Sequence, residues 1–252
     1  MKKKFHLLSS LFLIVCALSS CESVEEPVLI SDSKLAVNDS SIEMQADSGI
    51  FSFRYKGNDY SYPYQVINDE IHYLDQSIEN IANQLKDNPS VAAYIHEDGL
   101  IEYFDNEKEL EKNVTTTVNT RATIPMVTSG QLIVFEDSKC KGKTQTFAIN
   151  GTKQHVDIAN LGDDWNDIIS SLDLTCTFRT FDVMPNPCPT ACVAIFYEHE
   201  NFGGYSISFS VGVGETHSYI HYLKSYPLYP GSNKNWNDKI TSLRFTMNKV
   251  VE

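Results

Sequence analysis

Ile50-Phe51-Ser52-Phe53-Arg54-Tyr55 alternates apolar and polar positions from Phe51 onward, the pattern of a half-buried strand. Lys56-Gly57-Asn58-Asp59 then reads as a turn, and Tyr60–Ile67 as the returning strand of a hairpin. The period changes next. Ile71, Leu74, Ile78, Ile81, Ala82 and Leu85 fall on one face of a helix that ends near Asn88-Pro89. Val91–His96 and Leu100–Phe104 flank Asp98-Gly99 as a second hairpin, and Asp105–Leu110 suggests a short capped helix. Residues 41–112 therefore read as a small α+β domain. Val114–Thr128 is rich in Thr and Val and carries Pro125, so residues 113–128 read as a linker. From residue 129 to 252 only short alternating runs remain, Thr144–Ile149, Cys176–Phe181, Val193–Tyr197, Tyr205–Phe209 and Ile240–Thr246, separated by polar turns. That is the pattern of a β-sandwich, and it makes the chain mainly β.

The sandwich segment repeats itself. Trp165-Asn166-Asp167-Ile168-Ile169-Ser170-Ser171 matches Trp236-Asn237-Asp238-Lys239-Ile240-Thr241-Ser242 at an offset of 71 residues. Upstream, Phe135–Gly142 matches Tyr197–Gly204 at an offset of 62, with the spacing aromatic, four residues, aromatic, one residue, Gly. Cys140 replaces the second aromatic in the first copy, where the second has Phe202. The two offsets differ by nine residues, which places an insertion in the Tyr/Pro-rich stretch Tyr222–Asn235. Clustered amide, carboxylate, hydroxyl and carbonyl oxygens are the ligands that Ca²⁺ takes, 6–8 at a time.

In these features residues 131–248 resemble the βγ-crystallin family, whose domains pair two Greek-key motifs, each with such a hairpin. Its calcium-binding members carry an (Asn/Asp)-(Asn/Asp)-x-x-(Ser/Thr)-Ser stretch in each motif. The resemblance implies a double Greek-key sandwich and two Ca²⁺ sites built from crossed stretches. It assigns ligands to Asn166, Asp167, Ile168 (carbonyl), Ser170, Asn237, Asp238, Lys239 (carbonyl) and Thr241, with carbonyls near Glu136 and Glu198 completing the shells. The competing reading is that Asn-Asp is only a turn and the hydroxyl pair only starts a strand. With at most one carboxylate per stretch, affinity is expected on the order of 10⁻⁵ to 10⁻³ M.

The N-terminus changes the setting. Lys2, Lys3 and Lys4 precede a mainly apolar run, Leu7–Leu18, too short for an ordinary membrane span. Residues 1–20 read as a secretion signal. Leu18-Ser19-Ser20-Cys21 looks like a bacterial lipobox, which makes Cys21 the expected lipidation site. Residues 21–40 read as a tether, and Glu22-Ser23-Val24-Glu25-Glu26 resembles an acidic surface-export signal. The expected location is the cell envelope, anchored by lipid to the outer membrane on its periplasmic or outer side.

Removing the signal takes three of the 20 basic residues and leaves 17 against 33 acidic ones, a formal net charge of −16. Nucleic-acid binding is not expected of such a surface. Of six cysteines, Cys140, Cys176, Cys188 and Cys192 remain after Cys16 is cleaved off and Cys21 is lipidated. Export favours disulfides. One arrangement joins Cys140 to Cys176 and Cys188 to Cys192; the alternative leaves Cys140 as a small packed thiol. No Gly-x-Ser-x-Gly, His-Glu-x-x-His or phosphate loop occurs in the sequence, so an enzyme is not expected. His217 and His221 read as structural. The second functional reading is a secreted peptidase inhibitor or other binding protein of crystallin fold. It would use an exposed Tyr219–Asn235 loop, with calcium structural or absent. The Tyr55, Tyr60, Tyr62 and Tyr64 run reads either as a ligand face or as plain sheet cover.

Overall fold

The computed structural model describes residues 48–67, 70–114, 125–180, 189–212 and 215–249. The expected signal segment, Cys21, the tether, most of the linker and Cys188 lie outside these residues. Among the described residues no helix is long and apolar enough to cross a membrane.

Strand β1 (Ser48–Tyr55) and strand β2 (Asn58–Ile67) pair as the expected hairpin. Its two-residue turn puts Lys56 at φ 51° and Gly57 at φ 75°, the left-handed pair that a tight hairpin needs. Strand β3 (Glu70–Tyr73) adds to β2, with Ile71 opposite Val66. Helix α1 (Gln76–Lys86) follows. The apolar period suggested that Ile71 and Leu74 belong to this helix, but the helix starts later. Asp75 caps it, its carboxylate accepting from the Ser77 amide at 2.8 Å. Leu74 is left 62% exposed, and Ile71 is spent on the strand pairing. Strand β4 (Ala92–Ile95), strand β5 (Ile101–Phe104) and helix α2 (Glu107–Val114) complete the α+β part.

The second half comprises β6 (Pro125–Asp137), β7 (Lys141–Asn150), β8 (His155–Ile158) and β9 (Ser171–Thr180), then β10 (Pro189–His199), β11 (Gly203–Val211), β12 (His217–Ile220) and β13 (Ser242–Lys249). Strand β6 begins at Pro125, inside the stretch read as linker. Within the first quartet β9-β6-β7 lie side by side; within the second β13-β10-β11 do. This fourth-beside-first order is the Greek key. The third strand of each quartet crosses over: β8 joins β13, and β12 joins β9. The two motifs are thus locked into one sandwich, as the repeat implies.

The sandwich sheet that contains β10 does not end at β11. Strand β4 pairs in parallel with β11, with Ile207 opposite Ala93, and the ladder continues through β5, β1, β2 and β3 to nine strands. The α+β part therefore covers an edge that would otherwise offer unpaired backbone groups. All described residues fall in one compact unit. One buried cluster runs from Phe53, Tyr103 and the α1 residues Ile78 and Leu85 to Trp236, Phe196 and Phe245. Tyr60, Tyr62 and Tyr64 pack against that cluster as sheet cover.

The nine-residue insertion is part of this wall. Leu223 and Leu228 are buried, and Tyr226 and Tyr229 pack on the core. The Tyr205 hydroxyl donates to the Lys86 carbonyl at 2.5 Å, tying β11 to the end of α1. The contact loop expected to be exposed over Tyr219–Asn235 is instead packed inward through Ile220, Leu223 and Leu228, because its apolar side chains fill the gap between α1 and the sandwich. Tyr219, at 50% exposure, and the polar Lys224, Asn233 and Lys234 stay exposed.

Candidate metal centre

Both hairpins adopt the same unusual backbone. Lys139, Cys140 and Gly142 have φ of 61°, 56° and 79°; Asn201, Phe202 and Gly204 have 57°, 61° and 77°. Each pair is 62 positions apart, so the sequence repeat is a repeat of conformation. Glycine fits this region without strain, and the other four positions depend on tertiary support.

That support comes from the last Ser of each oxygen-rich stretch. Ser171 donates to the Asp137 carbonyl at 2.6 Å, and its oxygen accepts from the Cys140 amide at 3.0 Å. Ser242 does the same with the His199 carbonyl at 2.6 Å and the Phe202 amide at 3.1 Å. The sequence reading assigned these two buried serines no role of their own. Their recurrence in register in both copies was the available signal.

The two stretches meet across the pseudo-symmetric sandwich. The Asp238 amide donates to the Ile169 carbonyl, and the Asp167 amide to the Ile240 carbonyl, both at 3.2 Å. Asp167 and Asp238 sit at φ 55° and 53°, a conformation that Asn and Asp tolerate better than most residues. This turn carries each carboxylate into the opposite motif. The Ser170 hydroxyl donates to Asp238 Oδ1 at 3.1 Å. Thr241 Oγ1 lies 3.5 Å from Asp167 Oδ1 and 2.8 Å from the Glu198 carbonyl.

Two oxygen clusters result. One holds Ser170 and Asp238 beside the first hairpin, where the Ser170 amide donates to the Phe135 carbonyl at 2.9 Å, next to Glu136. The other holds Thr241, Asp167 and the Glu198 carbonyl beside the second hairpin. Ser170 and Thr241 are 8% and 7% exposed, whereas Asp167 and Asp238 are open to solvent. Each cluster thus has a fixed floor and a carboxylate at its mouth.

The remaining expected ligands lie around these clusters. Asn237 donates to Asp238 Oδ2 at 2.7 Å and holds that carboxylate. Asn166 is exposed, with its backbone N–H donating to the Gly162 carbonyl. Ile168 and Lys239 follow the left-handed aspartates in the turns. The Glu136 carboxylate is exposed, and its Oε2 accepts from the Lys143 backbone amide at 3.3 Å.

The donor chemistry fits Ca²⁺. Two oxygens each about 2.4 Å from one ion, at roughly a right angle, stand about 3.4 Å apart. The cross-motif oxygen pairs stand at 3.1 and 3.5 Å. Among the described residues no three His, Cys, Asp or Glu side chains gather at metal-holding distance. The clusters present one carboxylate each with neutral oxygens, donors of the kind a hard cation takes.

The Greek-key order, the exchanged third strands and the paired hairpins agree. The C-terminal half has a βγ-crystallin-like fold. Among solved structures, a βγ-crystallin from an archaeon is 22% identical over 46% of this chain and 95% of its own, with a TM-score of 0.26. The βγ-crystallin of Ciona intestinalis is 18% identical over 45% of this chain and 95% of its own, with a TM-score of 0.25. No protein-family model and no curated protein matches the chain.

The cysteines are arranged differently from the expected pairing. Cys140 lies beside Ser171, with its sulfur 3.8 Å from His221 Nδ1. Cys176 is five residues further along β9, about 16 Å at the rise of a strand, far beyond disulfide reach of Cys140. Cys176 instead occupies the sandwich core with Cys192.

Proposed function

We propose that this chain is a lipid-anchored envelope or surface protein whose βγ-crystallin-like half binds Ca²⁺ at two sites and is stabilised by it. The observation that carries the reading is the reciprocal crossing of Asp238 onto Ser170 and of Asp167 onto Thr241. Bound Ca²⁺ would supply positive charge between oxygens that otherwise hold each other by weak hydrogen bonds. Ser170, Asp238 and the Glu136 carbonyl would hold one ion, and Thr241, Asp167 and the Glu198 carbonyl the other. Asn166, Asn237 and the Ile168 and Lys239 carbonyls would line the same turns. Each ion would join the two motifs, so binding belongs to the folded state alone. The lipobox at Cys21 supports the membrane anchor, and the acidic surface leaves nucleic acid out as a partner.

Binding to the folded state adds about 2.7 kcal/mol at a hundredfold excess of ligand over its dissociation constant. The soluble chain from residue 22 should melt several degrees higher in millimolar Ca²⁺ than in EDTA, and calorimetry should register the binding heat. No heat and no shift at millimolar Ca²⁺ would refute calcium binding. For the anchor, Cys21→Ser should leave the membrane fraction or accumulate unprocessed. A variant that stays membrane-bound and is normally cleaved would refute lipidation.

A further inference from the structure

We propose that Cys176 and Cys192 form a disulfide that bolts the two sheets, and the two Greek-key motifs, of the exported protein together. Cys176 lies on β9 in the four-stranded sheet and is 2% exposed; Cys192 lies on β10 in the nine-stranded sheet and is 0% exposed. Gly130 on β6 fixes where they meet. It is the ladder partner of Cys176, and a methyl group on it would stand 2.5 Å from the Cys192 sulfur. The Cys192 thiol therefore rests on bare backbone immediately beside Cys176. Glycine is the only residue that leaves it that room.

The surroundings favour this role over others open to a thiol. Phe245 and Ile149 close in on the same spot, 3.1 and 3.2 Å from where such a methyl would sit, and the Ser129 carbonyl lies 3.8 Å from the Cys192 sulfur. A nucleophilic or metal-binding cysteine needs an accessible thiolate. Here the hydrogen bond to Cys176, together with burial, pushes ionisation of the Cys192 thiol far above its ordinary range. Two free thiols brought together in the sandwich core are instead the reduced form of a structural bridge.

The bond forms before the sheets close, while both sulfurs still reach solvent. One thiolate attacks the disulfide of an exchange partner, a dithiol–disulfide oxidoreductase or a small-molecule disulfide. This makes a mixed disulfide and releases one partner thiolate. The second cysteine, deprotonated, then displaces the partner's other sulfur. The chain loses two electrons and two protons; the partner leaves as two thiols. Once the core packs, reductant has no access. The inference needs export but not calcium binding.

The full chain, exported into an oxidising envelope, is denatured without reductant, alkylated, digested and read by mass spectrometry. A peptide joining Cys176 to Cys192 is expected, and it should persist in Cys188→Ser. Alkylation of both Cys176 and Cys192, or a link from either to another cysteine, overturns the proposal. Melting is measured in EDTA, so that failure of the calcium reading does not enter. Protein refolded in reductant should melt on the order of 10 °C lower than oxidised protein, for wild type and Cys188→Ser alike. Equal melting of oxidised and reduced wild type overturns a stabilising bridge. This comparison needs no cysteine variant in the core to fold.

Discussion

At the scale of single residues, each oxygen-rich stretch divides its labour between neighbours. Ser171 and Ser242 face the hairpins and hold amides and carbonyls that the left-handed backbone would otherwise leave unpaired. Ser170 and Thr241, one position earlier, face the carboxylates that arrive from the opposite motif. Adjacent residues in extended chain point to opposite sides, so one dipeptide serves a clamp and a cluster at once. Ser170→Arg and Thr241→Arg should therefore each weaken one site by on the order of tenfold or more, removing a hydroxyl and placing a cation beside the ion. The fold should survive, since the clamp is the other serine. Titration calorimetry decides it: a double variant that still binds two Ca²⁺ ions with unchanged affinity would show the ligands misassigned.

At the scale of elements, helix α2 is held to the sandwich by a polar junction. Glu107 Oε1 accepts from the Tyr197 hydroxyl at 2.7 Å and from Arg244 at 2.9 Å. The Arg244 guanidinium lies 4.2 Å from the Phe202 ring centre. Burial first, and then Glu107, push the pKa of the Tyr197 hydroxyl up, so it stays a donor at every physiological pH. Phe202 is the hairpin aromatic of the second motif, so α2 and that hairpin rest on the same arginine. Glu107→Ala removes the acceptor and strands a largely buried hydroxyl. It should cost about 1–2 kcal/mol and speed amide exchange in residues 107–114. Unchanged stability together with unchanged exchange would show that the junction holds nothing.

At the scale of the whole molecule, the parallel pairing of β4 with β11 and the packing of Tyr205 and Tyr229 toward α1 make the first half a lid on the sandwich edge. A fragment of residues 125–252 exposes the β11 ladder and the apolar flank of the insertion. Such an edge is a template for pairing with another chain. The fragment should melt below the full chain and associate with rising concentration, as seen by sedimentation. A monomeric fragment that melts with the full chain would show that the two halves are energetically independent.

Local chemistry decided most of what the sequence by itself determined. The hairpin of residues 48–67, the strands of the sandwich and the matched turns at Asp167 and Asp238 follow from alternation, Gly placement and the left-handed tolerance of Asp. Each is a property of a few adjacent residues. The repeat also announced the oxygen clusters, because a pattern used twice in register records one geometry used twice. The start of α1 was not legible, since Ile71 and Leu74 fit the helical period equally well. Only the pairing of β3 with β2 and the Asp75 cap break the tie. The inward packing of the Tyr/Pro-rich insertion was hidden for a similar reason. Its composition suits an exposed loop until α1 is placed beside it. The cysteines make the same point. Cys140 and Cys176 bracket one motif in sequence, yet Cys176 meets Cys192, because a sandwich brings together side chains from facing sheets and not those nearest along the chain. Which faces are brought together is a long-range outcome of strand exchange and core packing, and no window of sequence contains it.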